Sequence, residues 1–371
     1  MIDLLNGLLN VAIVLIILVA LVVVHEFGHF IVARRAGVLV HEFGIGFPPR
    51  ALTMHQGPET AYTLNWLPLG GFVRLEGEDG GSDDPRSFGR QPLRRQTIIL
   101  LAGVAMNVVC AWVIFTFVAG LADPSTTIPL NYVFPGSPAA EAGLIGASDT
   151  ATGPAVRPAD TIIGFDGRLF PYFDANEQDP LAYPSTRVGQ RIVVDVEHPD
   201  GSVAHVPIQL RDAAQVADGL PALGVAAVTR GIGQDITRDP LDAVAVGTRR
   251  TWSAATLVLG ALADLVSHLD QPPEVAGPIG IVTTVGTVRS EAPPIFLVYL
   301  IGLLSANLAV VNVLPFPPLD GGRMVVGWFK AALGGRVSAH AEQATYLVGF
   351  VLLFAFILYV SFFDLQRLGG G

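Results

Sequence analysis

Charge is scarce in this 371-residue sequence: Asp, Glu, Lys and Arg make up 15% of it, against 51% hydrophobic residues. A soluble domain carries about a quarter charged residues, so a single water-soluble globule is excluded. Cysteine is nearly absent too. Cys110 is the one thiol, so no intramolecular disulfide can form, the redox compartment is not written in the chain, and an apolar packing role is the default for that residue. A basic stripe is also missing, which excludes nucleic acid as a partner. The net charge of −10 has one source: residues 123–291 hold 20 acidic and 10 basic residues, whereas the two signs balance elsewhere.

The missing charge has a location. Leu4–Val24, Gln96–Ala122, Ala292–Leu319 and Gln343–Phe363 contain no Asp, Glu, Lys or Arg, and each is long enough to cross a bilayer as a helix. The chain therefore reads as a polytopic α-helical membrane protein with four transmembrane helices. Arg34, Arg35, Arg90, Arg94 and Arg95 crowd the first inter-span loop, and Arg323, Lys330 and Arg336 the third. Short cytoplasmic loops are enriched in such residues, so both termini and the acidic 123–291 segment are expected outside. The N-terminal run lacks a basic n-region and a small-residue cleavage site, so it reads as a retained span and not a cleaved signal peptide.

That run leads into His25-Glu26-Phe27-Gly28-His29. On a helix, positions i and i+4 share a face, so His25 and His29 can offer two imidazoles to one ion, with Glu26 beside them as a base for water activated there. Ionisable groups at the end of an apolar helix are costly and mark function by default. A catalytic zinc needs three protein ligands and an open position. Of the acidic residues near the spans, Asp3, Asp123, Glu291 and Asp364 fall at the outside ends, and Asp320 falls on the side of His25. Asp320 is thus the candidate third ligand, and Glu342, beside His340 and Gln343, reads as a solvated helix start.

Val24–Phe30 together with Asn312-Val313-Leu314-Pro315-Phe316-Pro317-Pro318-Leu319-Asp320-Gly321-Gly322 resembles the paired signature of the site-2 protease family of intramembrane zinc metalloproteases. The closer likeness is to the bacterial regulator-of-sigma-E protease type with a single PDZ domain. Three further segments agree: Pro68–Val73, Gly103-Val104-Ala105-Met106-Asn107, which is similar to a Gly-xxx-Asn pattern in span two, and Gly277–Ile281. The resemblance implies that His25, His29 and Asp320 bind Zn2+ and that Glu26 is the general base. It also implies that Asn312 and Asn307 contact substrate backbone or the developing oxyanion; an interhelical hydrogen bond is the alternative for each. A set of two His and one Asp with an open position favours zinc over other divalent ions.

Pro315, Pro317 and Pro318 cannot continue a helix, so span three must unwind before Asp320, which is tolerated at membrane depth only beside a cavity or inside protein. Val38–Phe47 and Tyr62–Leu75 read as strands, and the resemblance implies a sheet dipping into the membrane whose edge accepts an unwound substrate. His41 and His55 lie in that loop without helical spacing to the motif, so neither is expected to bind metal. Glu76–Arg90, with Gly77, Gly80, Gly81, Ser82 and Pro85, reads as a mobile loop.

Pro135–Leu144 and Asp160–Gly167 resemble a PDZ domain, and Ile192–His198 and Val203–Leu210 flank Pro199-Asp200-Gly201 as a hairpin. The sequence departs from that pattern at Ile145–Pro158, at Ala159 and along Phe170–Ser185, so the domain is expected either to bind peptide or to act as a size filter. Asp235–Asp270 reads as helical. Its uncharged Thr251–Ala263 stretch is too short to span, which suggests a helix in the outer interface with Arg249 and Arg250 toward headgroups.

These readings divide the chain into 1–35 (span one with the His motif), 36–95 (cytoplasmic-side loop with the β segment), 96–122 (span two), 123–234 (an inserted extracytoplasmic PDZ-like α+β domain), 235–291 (an amphipathic helical segment), 292–322 (span three), 323–342 (cytoplasmic loop) and 343–363 (span four). The expected function is hydrolysis of peptide bonds in or near the transmembrane segments of single-pass membrane proteins. By resemblance, the substrates are anti-sigma factors or remnant signal peptides, pre-trimmed by a site-1 protease, in the bacterial inner membrane. A polar-site transporter would place ionisable groups at mid-bilayer among inverted repeats, and no repeat is present. A non-proteolytic helix-binding scaffold would lack a ligand or the base, and His25, Glu26, His29 and Asp320 are all in place.

Overall fold

The structure, a computed structural model, describes residues 2–78, 82–174, 179–227, 229–268, 273, 275–333 and 339–369. Gly80, Gly81 and Arg336 lie outside the described residues, as do parts of the Phe170–Ser185 and Asp235–Asp270 segments. In chain order the helices are α1 (Ile2–Arg35), α2 (Leu93–Leu121), α3 (Pro138–Glu141), α4 (Ala213–Ala217), α5 (Pro240–Ser267), α6 (Pro278–Glu291), α7 (Pro294–Val313), α8 (Asp320–Ala332) and α9 (Ala339–Gly369). The strands are β1 (Val40–Gln56), β2 (Ala61–Leu75), β3 (Pro124–Pro129), β4 (Tyr132–Val133), β5 (Thr161–Phe165), β6 (Arg191–Glu197), β7 (Val203–Gln209), β8 (Val225–Ala226) and β9 (Gly231–Asp235). The chain divides into two compact units, residues 1–116 with 245–371 and residues 117–244.

Four helices among the described residues are long and apolar enough to cross a membrane, within α1, α2, α7 and α9. Each expected apolar run falls on one of them. The third run stops early. Pro294 starts α7, where its missing N–H costs nothing; Leu314, held extended by the Pro315 that follows, ends it at Val313. The helix resumes as α8 with Asp320 in its first turn. Gly321 and Gly322 permit the sharp return: a Cβ on Gly322 would lie 2.5 Å from the Phe316 carbonyl carbon, and one on Gly321 would collide with the Val313 carbonyl oxygen. The fourth run extends further than expected on both sides, because helix formers such as Ala341, Glu342, Leu365 and Gln366 flank its apolar core.

Between α1 and α2, β1 and β2 each bend and pair twice. Residues 40–45 pair with 71–75 on one side and with 61–64 on the other, while 50–56 continue along the far side of 61–65. Phe30, Phe43, Val73, Leu75 and Phe88 pack this sheet against the end of α1. The far portion is exposed and apolar, carrying Leu52, Met54, Leu64 and Trp66.

The second unit contains a five-stranded sheet in the order β7-β6-β5-β3-β9. The expected hairpin is β6–β7, in register from Arg191 opposite Gln209 to Glu197 opposite Val203, with Gly201 supplying a positive φ in the turn. Val194, Val196, Ile128 and Phe165 fill the core beneath it. The Ile145–Pro158 stretch is tied down: Ala147 donates its N–H to Leu130 O at 2.9 Å, and Asn131 Nδ2 donates to Ala151 O at 2.9 Å.

Among the described residues of 235–291 the structure has two helices, α5 and α6. Arg250 does not reach outward as expected. It is buried, its guanidinium 5.9 Å above the Tyr299 ring, because α5 packs into the helical unit: Gly247 sits against Thr116, and Trp112 Nε1 donates to Thr248 Oγ1 at 3.0 Å. Arg249 is exposed.

The Gly277–Ile281 segment opens α6, where glycine allows close approach: a Cβ on Gly277 would lie 2.7 Å from Asp364 Oδ2. Asp364, buried on α9, accepts the N–H groups of Gly277 at 3.3 Å and Gly280 at 2.8 Å, satisfying donors that a helix start leaves unpaired. Replacing Asp364 by Ala strands those donors, which costs about 1–3 kcal/mol. Asp364→Ala is expected to melt below wild type in detergent, followed by tryptophan fluorescence on heating, with Asp364→Asn between the two.

Candidate metal centre

His25 and His29 stand one turn apart on α1, and their imidazole edges meet at a ring-centroid distance of 4.7 Å. Nε2 of His25 and Nε2 of His29 are 3.1 Å apart, and Oδ2 of Asp320 lies 2.9 Å from the first and 3.1 Å from the second. All three residues are buried. Among the described residues this is the one group of three His, Cys, Asp or Glu side chains with ligand atoms close enough to share an ion. Four bonds of about 2.0–2.1 Å at tetrahedral angles place neighbouring ligand atoms roughly 3.3 Å apart, so the observed triangle needs only a slight expansion to accept zinc.

The other ring nitrogens are held from α2. Nδ1 of His29 lies 2.8 Å from the carbonyl oxygen of Ile99, an acceptor that requires the proton on Nδ1 and leaves Nε2 free to bind. Nδ1 of His25 lies 3.3 Å from Nδ2 of Asn107, and Ser305 of α7 donates to the Asn107 backbone carbonyl at 2.9 Å.

A cavity of about 490 Å³ opens onto the three ligand atoms; Glu26 and Asn312 line it together with Val22, Phe72, Leu319 and Arg323. Asn307 does not line it. The Asn307 side-chain oxygen Oδ1 is buried without a partner among the described residues, five positions and therefore well over one helical turn from Asn312. At the rim, Arg323 Nη1 and Glu78 Oε1 form an ion pair at 2.7 Å. Burial opposes the Arg323 charge, but Glu78 outweighs it and holds the guanidinium above its ordinary range.

The remaining candidates lie elsewhere. His41 pairs with Glu76, whose carboxylate is held below its usual range first by the Ser82 hydroxyl and then by His41. The His55 ring sits 5.8 Å from that of Tyr62. Glu342 accepts from Lys330 Nζ at 2.8 Å near the start of α9. What the sequence reading passed over is the outer ring of contacts: the Ile99 carbonyl, Asn107, Ser305 and the Arg323–Glu78 pair. The Gly-xxx-Asn pattern pointed at Asn107 without a role, and a backbone carbonyl leaves no residue signal at all.

The sequence profile of Peptidase family M50 matches residues 13–356. A protein of Brucella suis biovar 1 named "Putative zinc metalloprotease" is 28% identical over 380 residues, covering 95% of this chain and 93% of its own. Proteins of the same name from Clostridium acetobutylicum (28% over 360 residues, 96% and 97% covered) and Synechocystis sp. (29% over 344 residues, 91% and 89% covered) are similar along their length. A match over nearly the whole sequence, on a chain with a buried His–His–Asp triangle, places this protein in peptidase family M50, the site-2 protease family of zinc metalloproteases.

Proposed function

We propose that this chain is an intramembrane endopeptidase in which His25, His29 and Asp320 hold the zinc and Glu26 is the general base. The observation that carries this reading is the convergence of three buried ligand atoms beside a cavity that Glu26 also lines. The donor set fits zinc in number and kind, and Gly103 keeps room for an ion: a Cβ there would lie 2.7 Å from His25 Nε2 and collide with His29 Nε2. Bound zinc supplies Lewis-acid polarisation of the scissile carbonyl and acidifies the attacking water. Glu26 accepts the proton of that water and delivers it to the leaving amine. Asn312, on the cavity wall, is the donor for the developing oxyanion.

The substrate is a single-pass membrane protein, pre-trimmed outside by a site-1 protease, of the anti-sigma-factor or signal-peptide-remnant class. A helix hides its carbonyls in its own hydrogen bonds, so the segment to be cut must unwind and add as a strand to a sheet edge. Residues 71–75 are one edge of the β1–β2 pairing pattern, and Gly71 packs against Glu26, with its Cβ position 3.8 Å from Glu26 Cγ. That adjacency supports an extended segment lying beside the base. The exposed apolar end of the sheet supports its insertion into lipid. Basic residues flanking the spans support a cytoplasmic-side active site, with both termini and a PDZ-like domain over 123–234 outside, in a bacterial inner membrane. That domain screens or captures the trimmed substrate.

Purified wild type and Glu26→Gln are to be compared in detergent on a tagged single-pass substrate, with zinc measured in both. Wild type is expected to cut within the span, and the variant to keep its zinc while cutting at least ~10²-fold more slowly. Equal cleavage by the two removes Glu26 from the role, and a zinc-loaded wild type that cuts no single-pass substrate, pre-trimmed or intact, overturns the proposal. Stripping the metal with a chelator is expected to abolish cleavage, and stoichiometric zinc to restore it. Gly103→Val is expected to purify with less than a tenth of the wild-type zinc, as read by elemental analysis, because its side chain occupies the space between the two ligand nitrogens.

A further inference from the structure

We infer that Asn107 is a positioning residue of the zinc site: its side-chain oxygen accepts the Nδ1–H of His25, which keeps Nε2 bare and aimed at the metal. This rests on the reading of His25 as a ligand. The two imidazoles are not held alike. His29 has the Ile99 carbonyl at 2.8 Å, a group that can only accept, so its Nδ1 must carry the proton. Among the described residues, His25 has only the Asn107 amide at Nδ1, 3.3 Å away. An amide can present either end, and the two are nearly isosteric.

The orientation decides whether His25 can bind. With Nδ2 facing the ring, Nδ1 is the acceptor and the proton sits on Nε2, the atom that must be bare for zinc. With Oδ1 facing the ring, Nδ1 carries the proton, and both imidazoles present bare Nε2 atoms to one point. Asn107 is fully buried, and its Oδ1 has no hydrogen-bond partner among the described residues. Turning the amide so that Oδ1 meets His25 therefore breaks no bond made by the oxygen, and it supplies the acceptor that a metal-binding imidazole requires on its far side. The backbone of Asn107 is anchored independently by the Ser305 hydroxyl at 2.9 Å, so the side chain can turn while its Cα stays in place.

Zinc dissociation constants are to be measured by chelator competition on the full-length protein in detergent, for wild type, Asn107→Leu, Asn107→Asp and His25→Ala. Asn107→Leu keeps the volume and removes the acceptor, and is expected to bind zinc 10–100-fold more weakly, the range for loss of such an outer partner. Asn107→Asp keeps an acceptor and is expected to stay near wild type. Nitrogen chemical shifts of 15N-histidine are expected to place the His25 proton on Nδ1 in wild type and Asn107→Asp, and to divide it between the nitrogens in Asn107→Leu. Wild-type affinity in Asn107→Leu, with His25→Ala losing zinc, overturns this inference alone. Wild-type affinity in His25→Ala overturns the ligand assignment and this inference with it. If Asn107→Leu does not fold, Asn107→Asp decides: retained zinc with the proton on Nδ1 supports the role, and lost zinc overturns it.

Discussion

The constraint on which the helical unit depends is that a carboxylate must reach two imidazoles 291 and 295 positions away in sequence, inside an apolar surround. An unpaired ionisable group there is costly, so each of the three side chains is satisfied mainly by the others. A continuous third span could not deliver Asp320 to that point. The chain has to stop being helical, cross sideways and restart, and the sequence from Leu314 to Gly322 is built for those three acts. Prolines remove the donors that an interrupted helix would strand. The two glycines let the restarted helix press its first turn against the end of α7.

Small residues elsewhere serve the same convergence. Gly28 on α1 packs against the backbone of α2 at Ala102, and Gly103 faces Nε2 of both His25 and His29. Gly349 on α9 sits against the backbone of Pro317 in the crossing segment. With lipid on the outside there is little hydrophobic gain in bringing helices together, so close backbone packing and buried hydrogen bonds have to supply it. The Ile99 carbonyl and Asn107 belong to this logic, since they tie α2 to α1 through the far sides of the two histidines.

Much of this was legible in the sequence, and the boundary of legibility is physical. Uncharged runs announce helices that cross a membrane, because charge is what lipid refuses. The i, i+4 spacing announces His25 and His29 as a pair, and the Pro–Asp–Gly–Gly stretch announces a break with a carboxylate at its end. The hairpin around Asp200-Gly201 was legible through its turn chemistry. Arg250 was not: a run of uncharged neighbours says nothing about which face packs, and the aromatic ring that receives its guanidinium comes from Tyr299 on another helix. Asn307 and Asn312 look equivalent in sequence, yet five positions turn a helix by well over one circuit, and only Asn312 reaches the cavity. The Ile99 carbonyl belongs to a residue whose side chain reads only as apolar filler.

The paired strands between α1 and α2 show how a buried charge is carried without penalty. Glu42 is buried yet accepts from Thr63 Oγ1 and Arg50 Nη2, each at 2.8 Å, with Arg74 Nη2 at 3.4 Å. Its charge is thus met on several sides, as a buried carboxylate requires. Because those bonds join both arms of the hairpin, they hold residues 71–75 in line while the tip beyond Phe47 is exposed and apolar. Glu78, three residues past the same strand, then pairs with Arg323 on α8, one turn from Asp320. The strand that lies against Glu26 and the helix that carries Asp320 are therefore tied at the cavity rim.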